Sequence, residues 1–306
     1  SGLTSDAITE TTRVIQEHSP DVVIVQGDTT TAMSAALAAF YSRTPVMHVE
    51  AGLRTYDKYS PFPEEINRLF IDNIAEHCMA PTETAAQNLR NAGIPDERIE
   101  ITGNTAIDAL LSVSQKVGGL SSPVALPSDV QNAIQSGQKI ITVTGHRRES
   151  FGDAFEQICL ALQDIVNNNP DVVIAYPVHL NPSVQEPVLR ILGNTDRIYL
   201  FDPLTYPDFV WLLTHSYLVL TDSGGVQEEV PSLNKPVLVM RKVTERPEGI
   251  DAGCAKLVGV DRISIATAAR ELLTNETTYK QMTDVPNPYG DGTASIKIAD
   301  RLERIH

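Results

Sequence analysis

The sequence predicts an α/β protein of two doubly wound parallel-sheet domains facing across a cleft, the first domain N-terminally incomplete. Short runs rich in Val and Ile alternate with segments of helical periodicity along almost all of the 306 residues. Those runs are continuously apolar, as parallel strands covered on both faces should be. A Gly-, Ser- and Pro-rich segment, GGLSSPVALPSD at 118–129, divides them into two series.

The first series places strands at 21–27 (DVVIVQG), 45–50 (PVMHVE), 77–81 (HCMAP) and 99–103 (IEITG). Between them, 30–43 and 82–93 read as helices, the latter with Thr82 as N-cap and Gly93 as a stop. A helix from Thr105 leads into the Gly-rich segment. The second series has strands at 139–145, 171–178, 197–201, 217–222, 235–240 and 255–259, each separated by a helix-length interval. Residues 294–305, ASIKIADRLERI, form an amphipathic closing helix. The expected domains are 1–116, with 291–306 packing back on it, and 117–290. The first series has four strands against six and opens on a helix, without methionine; at about 30 residues per strand-crossover-strand unit, two or so strands are expected ahead of Ser1.

Composition narrows the function. Lys+Arg 24 against Asp+Glu 39 gives a net charge of −15, which excludes a broad nucleic-acid footprint and requires any anionic ligand to find a locally positive pocket. No apolar run approaches the roughly 18–20 residues that span a membrane, and the expected location is cytoplasmic. Cys78, Cys159 and Cys254 are far apart, match no metal spacing, and read as thiols in a reducing compartment without catalytic role.

Ligands of open α/β sheets bind beyond the carboxyl ends of the strands, and the informative polar residues cluster there. QGDTTTA places Asp28 after the first strand, where cap and catalyst are equal readings. HVEAGLRT places Glu50 after the second, and PFPEEINR puts Glu64 and Glu65 in the first turn of a helix, a position that also favours carboxylates through the helix dipole alone. The intervening YDKYS, with Asp57, reads as a solvated loop. VTGHRRESFG puts His146, Arg147 and Arg148 at a strand end, suited to a phosphate. LTDSGGVQEE is the most specific local signal: Ser223, Gly224 and Gly225 let backbone approach a ligand at a helix start, and Glu228 and Glu229 follow one turn later, where a carboxylate accepts two ribose hydroxyls. YPVHLNP adds His179, a residue type more often structural at such a place.

Together QGDTTTA, HVEAGLRT, PFPEEINR, TGHRRESFG, YPVHLNP, TDSGGVQEE, KPVLVMR, TERPEG and NPYGDG resemble the non-hydrolysing UDP-N-acetylglucosamine 2-epimerases, in order from about Ser5 to Arg304. The resemblance implies two Rossmann-like domains of GT-B type. It implies Asp28, Glu50 and Glu64 as catalytic carboxylates, with His146 near the diphosphate. Arg147, Ser223, Gly224, Gly225, Glu229 and Arg246 are implied as UDP ligands. Glu65, Arg147 and His179 are implied at a second, allosteric UDP-N-acetylglucosamine, and the chain is expected to form a homodimer. The family's Gly-Thr-Arg-Pro-Glu motif is absent, in keeping with the missing strands, which puts the activity of the chain as given in doubt.

The implied chemistry is reversible C2 epimerisation to UDP-N-acetylmannosamine for surface polysaccharides. UDP leaves C1, a carboxylate removes the C2 proton to give 2-acetamidoglucal, and reprotonation on the other face with return of UDP completes the turnover. This needs an acid and a base on different faces, no metal and no redox cofactor. Crowding three carboxylates is expected to keep one of them protonated by repulsion. The rival readings are a GT-B glycosyltransferase using a UDP-sugar, a hydrolysing epimerase, and an inactive nucleotide-sugar-binding fragment.

Overall fold

A computed structural model describes residues 2–119, 126–145, 152–244 and 246–305. Its strands are β1 Val23–Gln26, β2 Val46–Val49, β3 His77–Ala80, β4 Ile99–Ile101, β5 Lys139–Thr144, β6 Val172–Pro177, β7 Ile198–Phe201, β8 Leu218–Thr221, β9 Val237–Val239 and β10 Ala255–Leu257. The first helices are α1 Gly2–His18, α2 Thr30–Tyr41, α3 Glu64–Ile74, α4 Glu83–Asn91, α5 Thr105–Val117, α6 Ser128–Gln135 and α7 Asp153–Asn168. There follow α8 Pro182–Leu192, α9 Tyr206–His215, α10 Gly224–Glu229, α11 Pro247–Ala252, α12 Arg262–Thr274, α13 Glu276–Thr283 and α14 Ala294–Glu303. Each of the ten expected strand runs contains a strand, shorter by one to three residues because the pairing stops where the chain turns away.

The chain divides into two compact units, one of residues 1–108 with 289–306 and the other of 109–288. The division falls inside α5, earlier than the Gly-rich segment, because Leu110 and Val117 bury themselves with Val130, Ile140 and Trp211 of the second unit.

The first unit is a four-stranded parallel sheet in the order β1-β2-β3-β4. Side chains alternate across it. Val25, Val46 and Cys78 pack with Ala36, Ala39, Ile71 and Leu89 of the covering helices on one face. Met47, Val49 and Met79 on the other meet Ile298 of α14. The Asp108 carboxylate accepts from the Ala294 and Ser295 amides at 3.2 and 2.7 Å, so α14 is capped by a residue far away in sequence.

The second unit is a six-stranded parallel sheet in the order β10-β9-β8-β5-β6-β7. Sequence runs outward from β5 to β7 and resumes at β8 on the other side, so the topological switch point lies between β5 and β8. Ile141 and Val143 face α7 and α12, while Ile140 and Val173 face α9. All three cysteines are buried and free; burial pushes the Cys78 and Cys159 thiols up to about 12. Among the described residues no helix is long and apolar enough to cross a membrane.

Candidate active site

Each unit gathers polar groups at the carboxyl end of its sheet. In the first, β1 and β2 lie side by side, with Gln26 opposite Val49 and the Gly27 amide donating to the Val49 carbonyl at 3.0 Å. Asp28 and Glu50 therefore leave neighbouring strand ends. Glu50 has φ +67, in the left-handed region that costs a non-glycine residue roughly 1–3 kcal/mol and recurs at functional sites. Its Oε2 lies over Gly27, where a Cβ on that glycine would come within 3.4 Å.

The cap-or-catalyst question at Asp28 has a structural answer. Thr29 is the N-cap of α2, its hydroxyl accepting from the Ala32 amide at 3.1 Å. The Asp28 carboxylate instead pairs with the Arg68 guanidinium, whose Nε donates to Oδ2 at 3.1 Å, and Asn67 Nδ2 donates to the Asp28 carbonyl at 2.9 Å. Arg68 is thus a cation set on Asp28 that the expectation of crowded carboxylates did not include. Glu64 opens α3, half-buried, one turn before Arg68.

Helix α3 is turned inside out. Glu65, Arg68 and Asp72, spaced i, i+3, i+7, are buried, whereas Ile66 and Phe70 are 47% and 40% exposed. Glu65 accepts from the Thr55 and Tyr56 amides at 3.1 and 3.0 Å and from Arg68 Nη1 at 3.2 Å. Its carboxylate thus holds the start of the 55–60 loop, which is itself exposed as expected. Arg54 pairs with Asp72 at 2.7 Å rather than with any of the three carboxylates.

In the second unit a cavity of about 210 Å³ opens at the carboxyl ends of β5, β6, β7 and β8, beside the switch point. Thr144, Gly145, His179 and Ser223 form its polar rim, and Pro177, Pro203, Leu204, Phe209 and Val226 its apolar walls. That combination suits a flat heterocycle with a polar tail. Ser223 stands at the N-cap position of α10 without a side-chain capping bond, and its amide donates to Thr221 Oγ1 at 2.9 Å. Arg246 lies against Gly224: a Cβ there would come within 2.9 Å of the guanidinium carbon. The same guanidinium pairs with Glu228 at 2.7 Å. Glu229 accepts from the Tyr206 hydroxyl at 3.0 Å. Burial pushes the Glu229 carboxyl up to about 7, with Glu228 adding to the rise and Tyr206 opposing it. His146 and Arg147 follow Gly145 in sequence and lie outside the described residues. His179 accepts from the Asn181 amide at 3.0 Å through Nδ1.

Sequence reasoning missed Arg68 and Asn67 as partners of Asp28, and Tyr206, Leu204 and Phe209 beside the second-unit cavity. The signal for Arg68 was its place one turn after Glu64 on a helix whose charges share one stripe. Leu204, Tyr206 and Phe209 carried none, since an apolar residue after a strand reads as core.

The UDP-N-acetylglucosamine 2-epimerase family model matches residues 1–303. The epimerase of Yersinia pestis is 53% identical over 290 residues, 95% of this chain and 77% of the relative. The structure of S. aureus MnaA with UDP superposes with a TM-score of 0.89 at 45% identity, over 99% of this chain and 80% of that one. The UDP-GlcNAc 2-epimerase of Neisseria meningitidis, bound to UDP-GlcNAc, gives a TM-score of 0.87 at 39% identity, over 98% and 81%. With ten strands in two parallel sheets among the described residues and a match along nearly its whole length, the chain belongs to the UDP-N-acetylglucosamine 2-epimerase family.

Proposed function

We propose that this chain interconverts UDP-N-acetylglucosamine and UDP-N-acetylmannosamine by eliminating UDP and adding it back. One observation carries the reading beyond family membership: Asp28 and Glu50 leave adjacent strand ends, one braced by Arg68 and the other in a strained backbone conformation. The uracil occupies the apolar walls around Phe209 and Leu204. Glu229 accepts from the ribose hydroxyls in place of Tyr206, and Ser223, Gly224, Gly225 and Arg246 meet the diphosphate, with His146 and Arg147 assigned beside it by motif.

As the C1–O bond breaks, its electron pair leaves with UDP and positive charge develops at C1. The C2 proton becomes acidic, a carboxylate among Asp28, Glu50 and Glu64 takes it, and the C2–H pair forms the double bond of 2-acetamidoglucal. A second carboxylate returns a proton to the opposite face of C2, and UDP re-forms its bond to C1. Oxidation states are conserved throughout, so the route needs no redox cofactor. Stabilisation of the departing diphosphate is worth about 3 kcal/mol per donor.

Reaction in D₂O followed by NMR tests this route: it places deuterium at sugar C2, and epimerisation without solvent exchange refutes it. Asp28→Asn, Glu50→Gln and Glu64→Gln each lower turnover while UDP still binds, and wild-type turnover removes a residue from the set. Release of UDP only with an acceptor present identifies a glycosyltransferase instead, and release of free N-acetylmannosamine a hydrolase. The allosteric second UDP-N-acetylglucosamine, the homodimer and the supply of a surface polysaccharide rest on family resemblance. For the dimer, the exposed apolar side chains Tyr59, Phe62, Ile66 and Phe70 are the candidate face, and light scattering of Phe70→Glu tests it.

A further inference from the structure

His48 sits in the middle of β2, fully buried. Its Nδ1 is 2.7 Å from Asp72 Oδ1, and its Nε2 is 2.9 Å from the Gly27 carbonyl oxygen. Asp72 is equally buried, and its second oxygen faces Arg54 Nη1 at 2.7 Å, with the Arg54 side chain 2% exposed. A carbonyl oxygen only accepts, so Nε2 carries a proton. Nδ1 faces a carboxyl group whose other oxygen meets a guanidinium, the natural partner of a carboxylate rather than of an acid. Both ring nitrogens therefore face acceptors, an arrangement that suits an imidazolium.

We propose that His48 and Asp72 are positioning residues for the epimerisation: one buried imidazolium–carboxylate pair ties together the three segments that carry Asp28, Glu50 and Glu64. Gly27, which His48 holds, directly precedes Asp28. His48 itself stands two residues before Glu50, which follows the end of the same strand. Asp72 lies about two turns along α3 from Glu64. Neither side chain reaches solvent, so the pair acts through the carboxylates it aligns. A buried ion pair is a poor source of stability compared with apolar side chains of equal volume, so its place here is better explained by register. The inference rests on the epimerase reading for the roles of the three acids, but its protonation pattern can be checked without turnover.

The first experiment is ¹⁵N NMR of the histidine rings in the uniformly labelled wild-type chain, with His48 assigned by its loss in His48→Gln. Both His48 nitrogens are expected in the protonated range at neutral pH; one unprotonated nitrogen overturns the pair. The second is steady-state kinetics of Asp72→Asn and His48→Gln, on variants whose first unit is shown to be folded by the amide-exchange protection of its strands. The expected result is a kcat lower by roughly tenfold to hundredfold, since small misplacements of reacting groups cost that much. KM and UDP affinity should stay within about threefold of wild type, the mark of an interaction that matters in the transition state. The double variant should fall no further than the worse single one. An unchanged kcat in folded variants overturns the proposal, as does an effect confined to KM. Where a variant does not fold, the nitrogen measurement decides. A wild-type chain with both nitrogens protonated but no epimerase activity would remove the functional reading and leave the pair standing.

Discussion

Arg68→Met is the perturbation with the sharpest structural expectation. Arg68 is 8% exposed, donates to Asp28 and Glu65, and contributes to the charged stripe of α3. Methionine keeps most of the volume, so the change removes charge rather than packing. It leaves two carboxylates without their cation, one at 2% and the other at 26% side-chain exposure. Breaking a buried pair typically costs 3–5 kcal/mol. Glu65 retains the Thr55 and Tyr56 amides and Asp28 retains partial solvent, so the lower end applies, about 3 kcal/mol. For a unit of this size that corresponds to a drop on the order of 10 °C in its melting temperature.

Calorimetry measures it, with fluorescence of the single tryptophan, Trp211, following the second unit. The control is the double variant Arg68→Met/Asp28→Asn, which removes one of the stranded charges and should recover part of the loss. A single variant within about 1 kcal/mol of wild type would refute the reasoning, because it would mean the pair is worth no more than a solvated one. Strict additivity of the double variant would refute it as well, since it would place the cost in something other than the unpaired acid.

Two further outcomes concern the second unit. Burial pushes the Glu229 carboxyl up to about 7, and its ionised form is the better acceptor for ribose hydroxyls, so UDP affinity should fall as pH drops through that value and Glu229→Gln should flatten the profile in calorimetric titrations. Tyr206→Phe removes a hydroxyl that stabilises the carboxylate, so the midpoint should move upward; a downward move would contradict the assignment. Gly224→Ala places a Cβ within 2.9 Å of the Arg246 guanidinium, a flexible group that yields, so stability should hold while UDP affinity falls by about tenfold. Arg246→Lys leaves Gly224 untouched but removes the planar fork, so it should lose affinity as well, and unchanged affinity would argue against Arg246 as the cause.

The strands were legible because a parallel sheet covered on both faces needs runs such as VVIV and VLVM, and few other local structures do. Thr82 as the cap of α4 and Gly93 past its end at φ +84 were legible for the same local reason. What escaped were features decided by distant partners. Nothing near Asp108 announces that it caps α14, and nothing near Asp28 names Arg68. His48 reads as an irregularity within an apolar strand. Its meaning comes from Asp72, 24 residues on, and from a carbonyl 21 residues back. Helix α3 is the extreme case, since hydropathy alone would bury Ile66 and Phe70 and expose Glu65, Arg68 and Asp72, the reverse of what is found.

That inversion bears on how the two units divide the chemistry. Both are parallel sheets with polar groups at the strand ends, yet their interiors differ behind those ends. In the second unit the strands around the cavity rest mainly on apolar side chains such as Ile141, Val143, Leu218 and Leu220, and buried polar groups such as Thr142 and Glu228 form short local pairs, with Ser216 and Arg246. Binding a nucleotide asks mainly for a shaped pocket and donors already in place. In the first unit the ion pairs continue inward from Asp28 through Arg68 to Glu65, and beneath them run from His48 through Asp72 to Arg54. Moving protons on and off a sugar carbon asks for acids fixed relative to one another, because misplacement enters the barrier directly. A charged stripe buried under the strand ends costs desolvation that an apolar stripe would avoid. It is found under the sheet that carries Asp28 and Glu50, where the proposed epimerisation calls for fixed acids.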